Sequence, residues 1–428
     1  MPEHRRGGPA YVAVPLARAP SRAFLLTLAA PGLALSLAIT IVSVYAPPVI
    51  AQLSSPGVAG AIIGAEGVFA LLVPVAVGSR SDRTRSRLGS RMPFLAAGAV
   101  LVVAALVVLP ATQSLLVVAV ALCVFYLGYF CAYAPYRALY PDCVDPAHQG
   151  RALGMQSTLR EVGLGLALVG GGILFATGRA LPFLVAAAVT AVVMAAFVAT
   201  VRDPALGPAP ELGPLDAMAR RPGAWRASLE IVRRRGDVRR LLAANALWEL
   251  AQAALKSFAV LFVTEGLGRS ASFASLIFAV VAATAVAAAL AGGRMADRRG
   301  FRALVLPGVL LYGSGAVALG LTQSVVVLAA VPVLAFAAAL TSTLSFAWLS
   351  RLAAREEHGL TAGLFGLSQG AGIVVGPVLA GLAVEVARPV LPGTDGYAAI
   401  FLVVGVAVLA SFALVLRVPD DPGPADPG

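Results

Sequence analysis

Residues 78–83 read Gly78-Ser-Arg-Ser-Asp82-Arg83, and residues 293–298 read Gly293-Arg-Met-Ala-Asp297-Arg298. Both fit the pattern G-x-x-x-D-R, and they begin 215 residues apart in a chain of 428. Each stands after a long apolar run, the second and the eighth of twelve, so one short polar sequence recurs at the same place in two halves of the chain. The runs lie near 24–46, 57–78, 93–112, 115–136, 152–176, 180–201, 239–264, 271–293, 303–322, 325–349, 360–386 and 395–417. Each is close to the roughly 20 residues a helix needs to cross a hydrocarbon core. The pattern predicts an all-α membrane protein with twelve transmembrane helices in two six-helix repeats. The chain then divides into a segment 1–23, a bundle 24–201, a linker 202–238, a second bundle 239–417 and a tail 418–428.

Composition agrees. Hydrophobic residues make up 59% of the chain and charged residues 12%, where a soluble protein carries about 25% charged. A packed core cannot absorb that excess, because most of a soluble surface needs polar cover. A soluble enzyme, a disulfide scaffold and a disordered chain are excluded. The net charge of +11 would suit nucleic acid, but the 31 arginines and the single lysine, Lys256, sit mostly in short clusters between the runs. Positive charge placed there sets topology. With the N-terminus inside, 27 of the 32 basic residues fall in cytoplasmic connections and three (Arg179, Arg269, Arg388) on the other side. An integral multi-pass protein of the plasma (cytoplasmic) membrane is expected, with both termini cytoplasmic, the lipid bilayer as partner and no nucleic acid. Arg5, Arg6, Arg18 and Arg22 imitate a signal peptide, yet the apolar run after them is too long for a cleavable one and reads as the first span.

The three cysteines, Cys123, Cys131 and Cys143, have no metal-ligand spacing or paired framework; two of them fall inside an apolar run, and buried packing is expected. No histidine lies in a run, and no metal or cofactor is expected. The linker begins Pro/Gly-rich at 204–214 and then spaces Trp225, Leu229 and Val232 at i, i+4, i+7, an amphipathic helix on the inner membrane surface or a solvated one.

The paired G-x-x-x-D-R elements, with the six-plus-six layout, resemble the major facilitator superfamily over nearly the whole chain. The resemblance implies the major facilitator fold and a cytoplasmic gate at Gly78, Asp82, Arg83, Arg87, Arg91, Gly293, Asp297 and Arg298, in which an acid at a helix end pairs with arginine and is released by a rocking motion. Residues 78–94, GSRSDRTRSRLGSRMPF, are similar to the loop of sugar:cation symporters of the sucrose:proton type, through Arg87, Gly89, Arg91, Pro93 and Phe94, departing at Ser90. Arg137-Ala-Leu-Tyr-Pro-Asp142 resembles the R-A-L-x-x-D of the same group, with Pro141 as a departure that bears on where the helix ends. The resemblance makes Asp142 a candidate proton carrier beside Arg137; a helix-end ion pair is the alternative.

Five charged residues fall inside spans: Glu66, Arg160, Glu161, Glu249 and Lys256. Each costs about 2.5–3.5 kcal/mol at the bilayer centre, so they must face one another or a wet cavity. Asn245, Glu249, Gln252 and Lys256 recur at i, i+4, i+7 and i+11, one polar stripe bordered by Trp248. It lines a cavity, with Glu249 as proton site or substrate ligand, or it is a static seam between helices. Gln156 and Arg160 share a face, Glu161 points about 100° away, and Glu66 either pairs with Arg160 or exchanges a proton. Three acids against two bases leave one carboxylate over, which suits one proton and a neutral polar substrate. Trp348 and Gln369, with the hydroxyls of Thr341, Ser342, Thr343, Ser345 and Ser368, suit a sugar, although serine and threonine also bond their own helix. Gly60 and Gly64 read as plain packing.

These features lead to a secondary active transporter, working by proton-coupled symport of a sugar or glycoside with alternating access, as a functional monomer with a small-molecule substrate. A proton-driven exporter of a small drug-like or natural product and a non-transporting receptor or scaffold on the same fold are the competing readings. An enzyme is not expected.

Overall fold

The structure is a computed structural model describing residues 20–81, 84, 86, 88–144, 148–201, 230–322, 329–352 and 358–420. Among them there is no strand. The helices are α1 Arg22–Ala51, α2 Pro56–Ser81, α3 Met92–Val108, α4 Leu115–Cys143, α5 Gln149–Gly165, α6 Gly171–Thr177, α7 Leu181–Thr200, α8 Gly236–Leu261, α9 Ala271–Arg299, α10 Phe301–Leu321, α11 Val331–Leu352, α12 His358–Ala387 and α13 Ala399–Val415. Eleven spans are long and apolar enough to cross a membrane, counting α5 and α6 as one (Arg151–Thr177), and Ala399–Val415 is a shorter twelfth apolar helix. Exposed Leu72, Val100, Leu116, Val192 and Val386 lie on the outside of the bundle, where lipid can cover them. Cys123 is exposed and Cys131 and Cys143 are half-buried; an apolar outer surface removes the need to bury a thiol.

Local chemistry starts and stops the helices. Ser21 accepts from the Phe24 amide at 3.1 Å and Ser270 from the Phe273 amide at 3.2 Å, capping α1 and α9. Gly300, at φ +81°, ends α9. Residues 293–298 therefore belong to the last turns of α9 rather than to a loop, since nothing between Gly293 and Gly300 breaks a helix. The helix at Pro141 likewise runs on to Cys143. A π-helical turn, Leu166–Gly170, joins α5 to α6, and another, Phe262–Gly266, extends α8. Asp82, Arg83, Arg87 and the start of the linker helix at Trp225 lie outside the described residues, and the side chains of Asp142, Gly293 and Asp297 are likewise not described.

Two apolar cores form. One gathers side chains from α1–α7, joined by Val260 of α8 and Ala271 of α9, and the other is built mainly from α8–α13. They meet chiefly where α2 packs on α12, α1 on α8 and α6 on α9. A Cβ built on Gly60 would lie 2.1 Å from the Pro377 carbonyl oxygen, one on Gly381 2.2 Å from that of Pro56, and one on Gly67 2.8 Å from that of Gly370. Backbone touches backbone there. Gly172 of α6 approaches Ala271 of α9 in the same way, with its Cβ position 2.6 Å from the Ala271 carbonyl oxygen. The Glu385 carboxylate of α12 accepts the Gly57 amide at 3.0 Å, so one half caps the first turn of a helix in the other. Most of these contacts gather toward one end of the bundle, the end carrying residues 52–55, 178–180 and 266–270.

Replacing Gly60 by valine should lower stability by about 1–3 kcal/mol through overpacking against α12. Gly154→Ala, where a Cβ meets nothing within 4 Å, should leave the melting temperature in detergent unchanged or slightly raised. Equal melting temperatures for Gly60→Val and wild type would show that the two halves do not depend on this approach.

Candidate functional site

A cavity of about 170 Å³ lies between the halves, lined by Gly32, Ser36, Ile39 and Thr40 of α1, Tyr129 and Tyr133 of α4, Arg160, Glu161 and Leu164 of α5, and Lys256 of α8. Arg160 donates through Nη2 to Glu161 Oε1 at 2.7 Å, and both side chains are half-exposed. Adjacent helix positions point apart at Cβ, and the long arginine folds back to meet its neighbour. A guanidinium that stays charged is thereby matched inside the bundle and still faces open space.

Glu66 does not pair with Arg160. It accepts from the Ser43 hydroxyl at 3.2 Å, on the α1–α2 side. Gln156 shares the sequence face of Arg160, yet it is buried with its Cγ 3.6 Å from the position a Cβ on Gly32 would take, so it packs against α1. Arg137 is exposed, with its guanidinium carbon 5.9 Å above the Tyr133 ring.

The stripe on α8 divides. Asn245 is buried and donates to Ser368 Oγ at 2.8 Å; Glu249 accepts from Gln369 Nε2 at 2.9 Å; Gln252 donates to Ser342 Oγ at 2.6 Å. These bonds tie α8 to α12 and α11 and make a polar seam within the second half. Only Lys256, the last member, reaches the cavity. Trp248 is buried, and its indole N–H donates to Ser411 Oγ at 2.8 Å, which turns it toward α13. Trp348 is fully buried near the end of α11, stacked on Phe301 at 6.1 Å and donating to the Pro419 carbonyl at 2.9 Å. It therefore anchors the chain after α13 and offers no surface to a ligand, because its position four residues before the end of α11 sets it far from mid-span. Thr341, Ser342 and Ser345 bond carbonyl oxygens of their own helix. Of the gate candidates, Gly78 and Arg91 are buried at the ends of α2 and α3, and Arg298 is exposed in the last turn of α9.

The sequence reading missed the tyrosines. Five of the nine lie on α4, at 126, 129, 133, 136 and 140, with spacings of three and four that put them along one side. Phe125, Tyr129 and Tyr133 stack in a column, with centroids 6.3 and 5.5 Å apart and interplanar angles of 19° and 13°. Arg137 stands at its end. The ring faces are occupied by one another, so Tyr129 and Tyr133 offer the cavity mainly edges and hydroxyls.

A bundle of twelve apolar helices in two packed halves, with a charged chamber between them, defines a membrane transport protein. Residues 28–263 and 241–428 match the Major Facilitator Superfamily, and the chain belongs to it. Among solved structures it is similar to a bacterial homolog of the human lysosomal transporter Spinster, inward-facing and unoccupied, at 17% identity and TM-score 0.73, covering 91% of this chain and 95% of that one. It is also similar to the nucleoside transporter NupG, at 12% identity and TM-score 0.72, over 92% and 99%. A mutant of the peptide transporter POT in complex with alafosfalin is similar at 15% identity and TM-score 0.64, over 92% and 95%. At these identities the likeness concerns the fold. No curated protein matches the sequence.

Trp348→Phe should cost about 1 kcal/mol in thermal unfolding through the lost indole hydrogen bond and leave the KM for any transported solute unchanged. A raised KM with unaltered stability would return Trp348 to the ligand site.

Proposed function

We propose that the chain is a secondary active transporter that takes up a compact sugar or glycoside together with a proton by alternating access, acting as a monomer. The observation that carries this reading is the half-exposed Arg160–Glu161 pair facing a chamber to which the other half contributes Lys256. Charged and hydroxyl groups around a void smaller than the roughly 300–1,000 Å³ of drug-sized pockets favour a small polar solute over an apolar drug-like one. Tyr129, Tyr133, Ser36 and Thr40 add hydroxyls to the lining.

The coupling proton has three candidate seats. Glu66 and Glu249 each accept a hydrogen bond from a neutral partner, Ser43 and Gln369, so either can gain or lose a proton without breaking an ion pair in the described structure. Asp142 is the third candidate, by its sequence context. With the termini inside, the glycine-mediated contacts close the outer side, and the chamber belongs to an inward-facing state. Asp82, Arg83, Arg87, Asp297 and Arg298 then latch the inner side in the opposite state.

In proteoliposomes carrying an internal pH dye, adding the transported sugar outside should acidify the lumen. Glu249→Gln should abolish the signal while the protein stays folded and inserted. Wild-type acidification by that variant would remove Glu249 from the proton path, and silence of the wild type across mono- and disaccharides and their sugar acids would overturn sugar symport.

A further inference from the structure

The cavity lining holds two cations, Arg160 and Lys256, and one anion, Glu161. Glu161 is engaged by Arg160 at 2.7 Å. Lys256 makes no ion pair with any described residue. Its helix neighbour Glu249 stands two turns back, about 10.5 Å along the axis, near enough for the two charges to interact but bonded to Gln369 rather than paired with Lys256. Glu66 sits outside the lining, bonded to Ser43. Among the residues that line the cavity, the charge without an ion-pair partner is therefore a cation.

A cationic or zwitterionic solute would need an acid for its ammonium, and the one acid of the lining is already paired. A neutral solute would leave Lys256 without an ion-pair partner among the described residues. A single carboxylate satisfies it, and the remaining groups of the lining, the hydroxyls of Ser36, Thr40, Tyr129 and Tyr133 and the forked Arg160–Glu161 pair, serve the other polar atoms of the same small molecule.

We propose that the solute is a monocarboxylate of sugar type, a polyhydroxylated acid of about one ring, and that Lys256 receives its carboxylate. The inference rests on the cavity being the transport site of a sugar-like solute. It has an electrical consequence: one proton moving with one monovalent anion carries no net charge, so uptake is indifferent to membrane potential.

The test uses the full chain in proteoliposomes with an internal pH dye, D-glucuronate and D-galacturonate against D-glucose and D-galactose, and potassium gradients with valinomycin to set the potential. Acidification with the uronates and not with the neutral hexoses is expected, at a rate unchanged by an inside-negative potential. Lys256→Met should lower uronate uptake at least ten-fold with an unaltered melting temperature, and Lys256→Arg should keep most of it. Transport of the neutral hexoses with the uronates silent, or uronate uptake indifferent to Lys256→Met, overturns the anion assignment and leaves the sugar carrier standing. Silence with all four probes overturns both.

Discussion

The backbones of α2 and α12 lie in contact, and the arrangement of the two halves depends on that approach. Two helices reach such closeness where one of them presents a glycine, with no side chain, to the backbone of the other. Gly60, Gly64 and Gly67 face Pro377, Val374 and Gly370, and Gly381 faces Pro56. Gly372 and Gly376 do the same on the other side of α12, where Cβ positions would fall 2.6 Å from the Ala246 carbonyl oxygen and 2.4 Å from that of Leu250 on α8. The twelfth helix is thus wedged between a neighbour in its own half and one in the other. In lipid no hydrophobic effect pulls helices together, so close van der Waals contact of this kind supplies the association. The chamber at mid-span is what remains where α1, α4, α5 and α8 carry larger side chains.

The charges inside the spans obey a second constraint, which is that none can be left facing hydrocarbon. The structure meets it in three ways. Arg160 takes the acid beside it; Glu66 and Glu249 take a hydroxyl and an amide; Lys256 takes the wet chamber. A neutral partner stabilises a carboxylate less than a cation does, so the arginine and the two acids meet the same constraint with bonds of different strength.

Much of the architecture was legible because membrane spans need length and apolarity and little else. Among the described residues each of the twelve runs is helical, the start of the tenth lying outside them. Depth and rotation were not legible. Trp348 is aromatic and lies among hydroxyls in the sequence, but its place near the end of α11 puts it against Pro419 and Phe301, far from mid-span. The stripe on α8 is one face by periodicity, yet whether that face meets helices or a void depends on what stands opposite: Lys256 lines the cavity, Gln252 is exposed while bonded to Ser342, and Asn245 and Glu249 meet α12. The π-helical turn after Gly165 rotates α6 relative to the continuation of a regular helix, which no count of 3.6 residues foresees. The tyrosine column on α4 was readable and was passed over, because attention to charges in apolar spans leaves aromatic periodicity looking like core. Gly60 and Gly64 were read as packing without the partner that gives the packing its importance.

The same glycine contact that closes one end is also suited to being undone. Its main substance is dispersion between two smooth backbones, in which each atom pair contributes about 0.1–0.2 kcal/mol and no single bond dominates. The directional contacts of the crossing are at the Glu385 carboxylate, which takes hydrogen bonds from the Gly57 amide and the Ser55 hydroxyl at its very end. Separating α2 from α12 there costs those charge-assisted hydrogen bonds plus a surface that lipid or water can cover at once, whereas separating α8 from α12 within a half would strip Asn245, Glu249 and Gln369 of their hydrogen-bond partners. In the alternating access proposed above, the polar seam would therefore stay with its half while the smooth glycine face between α2 and α12 opens.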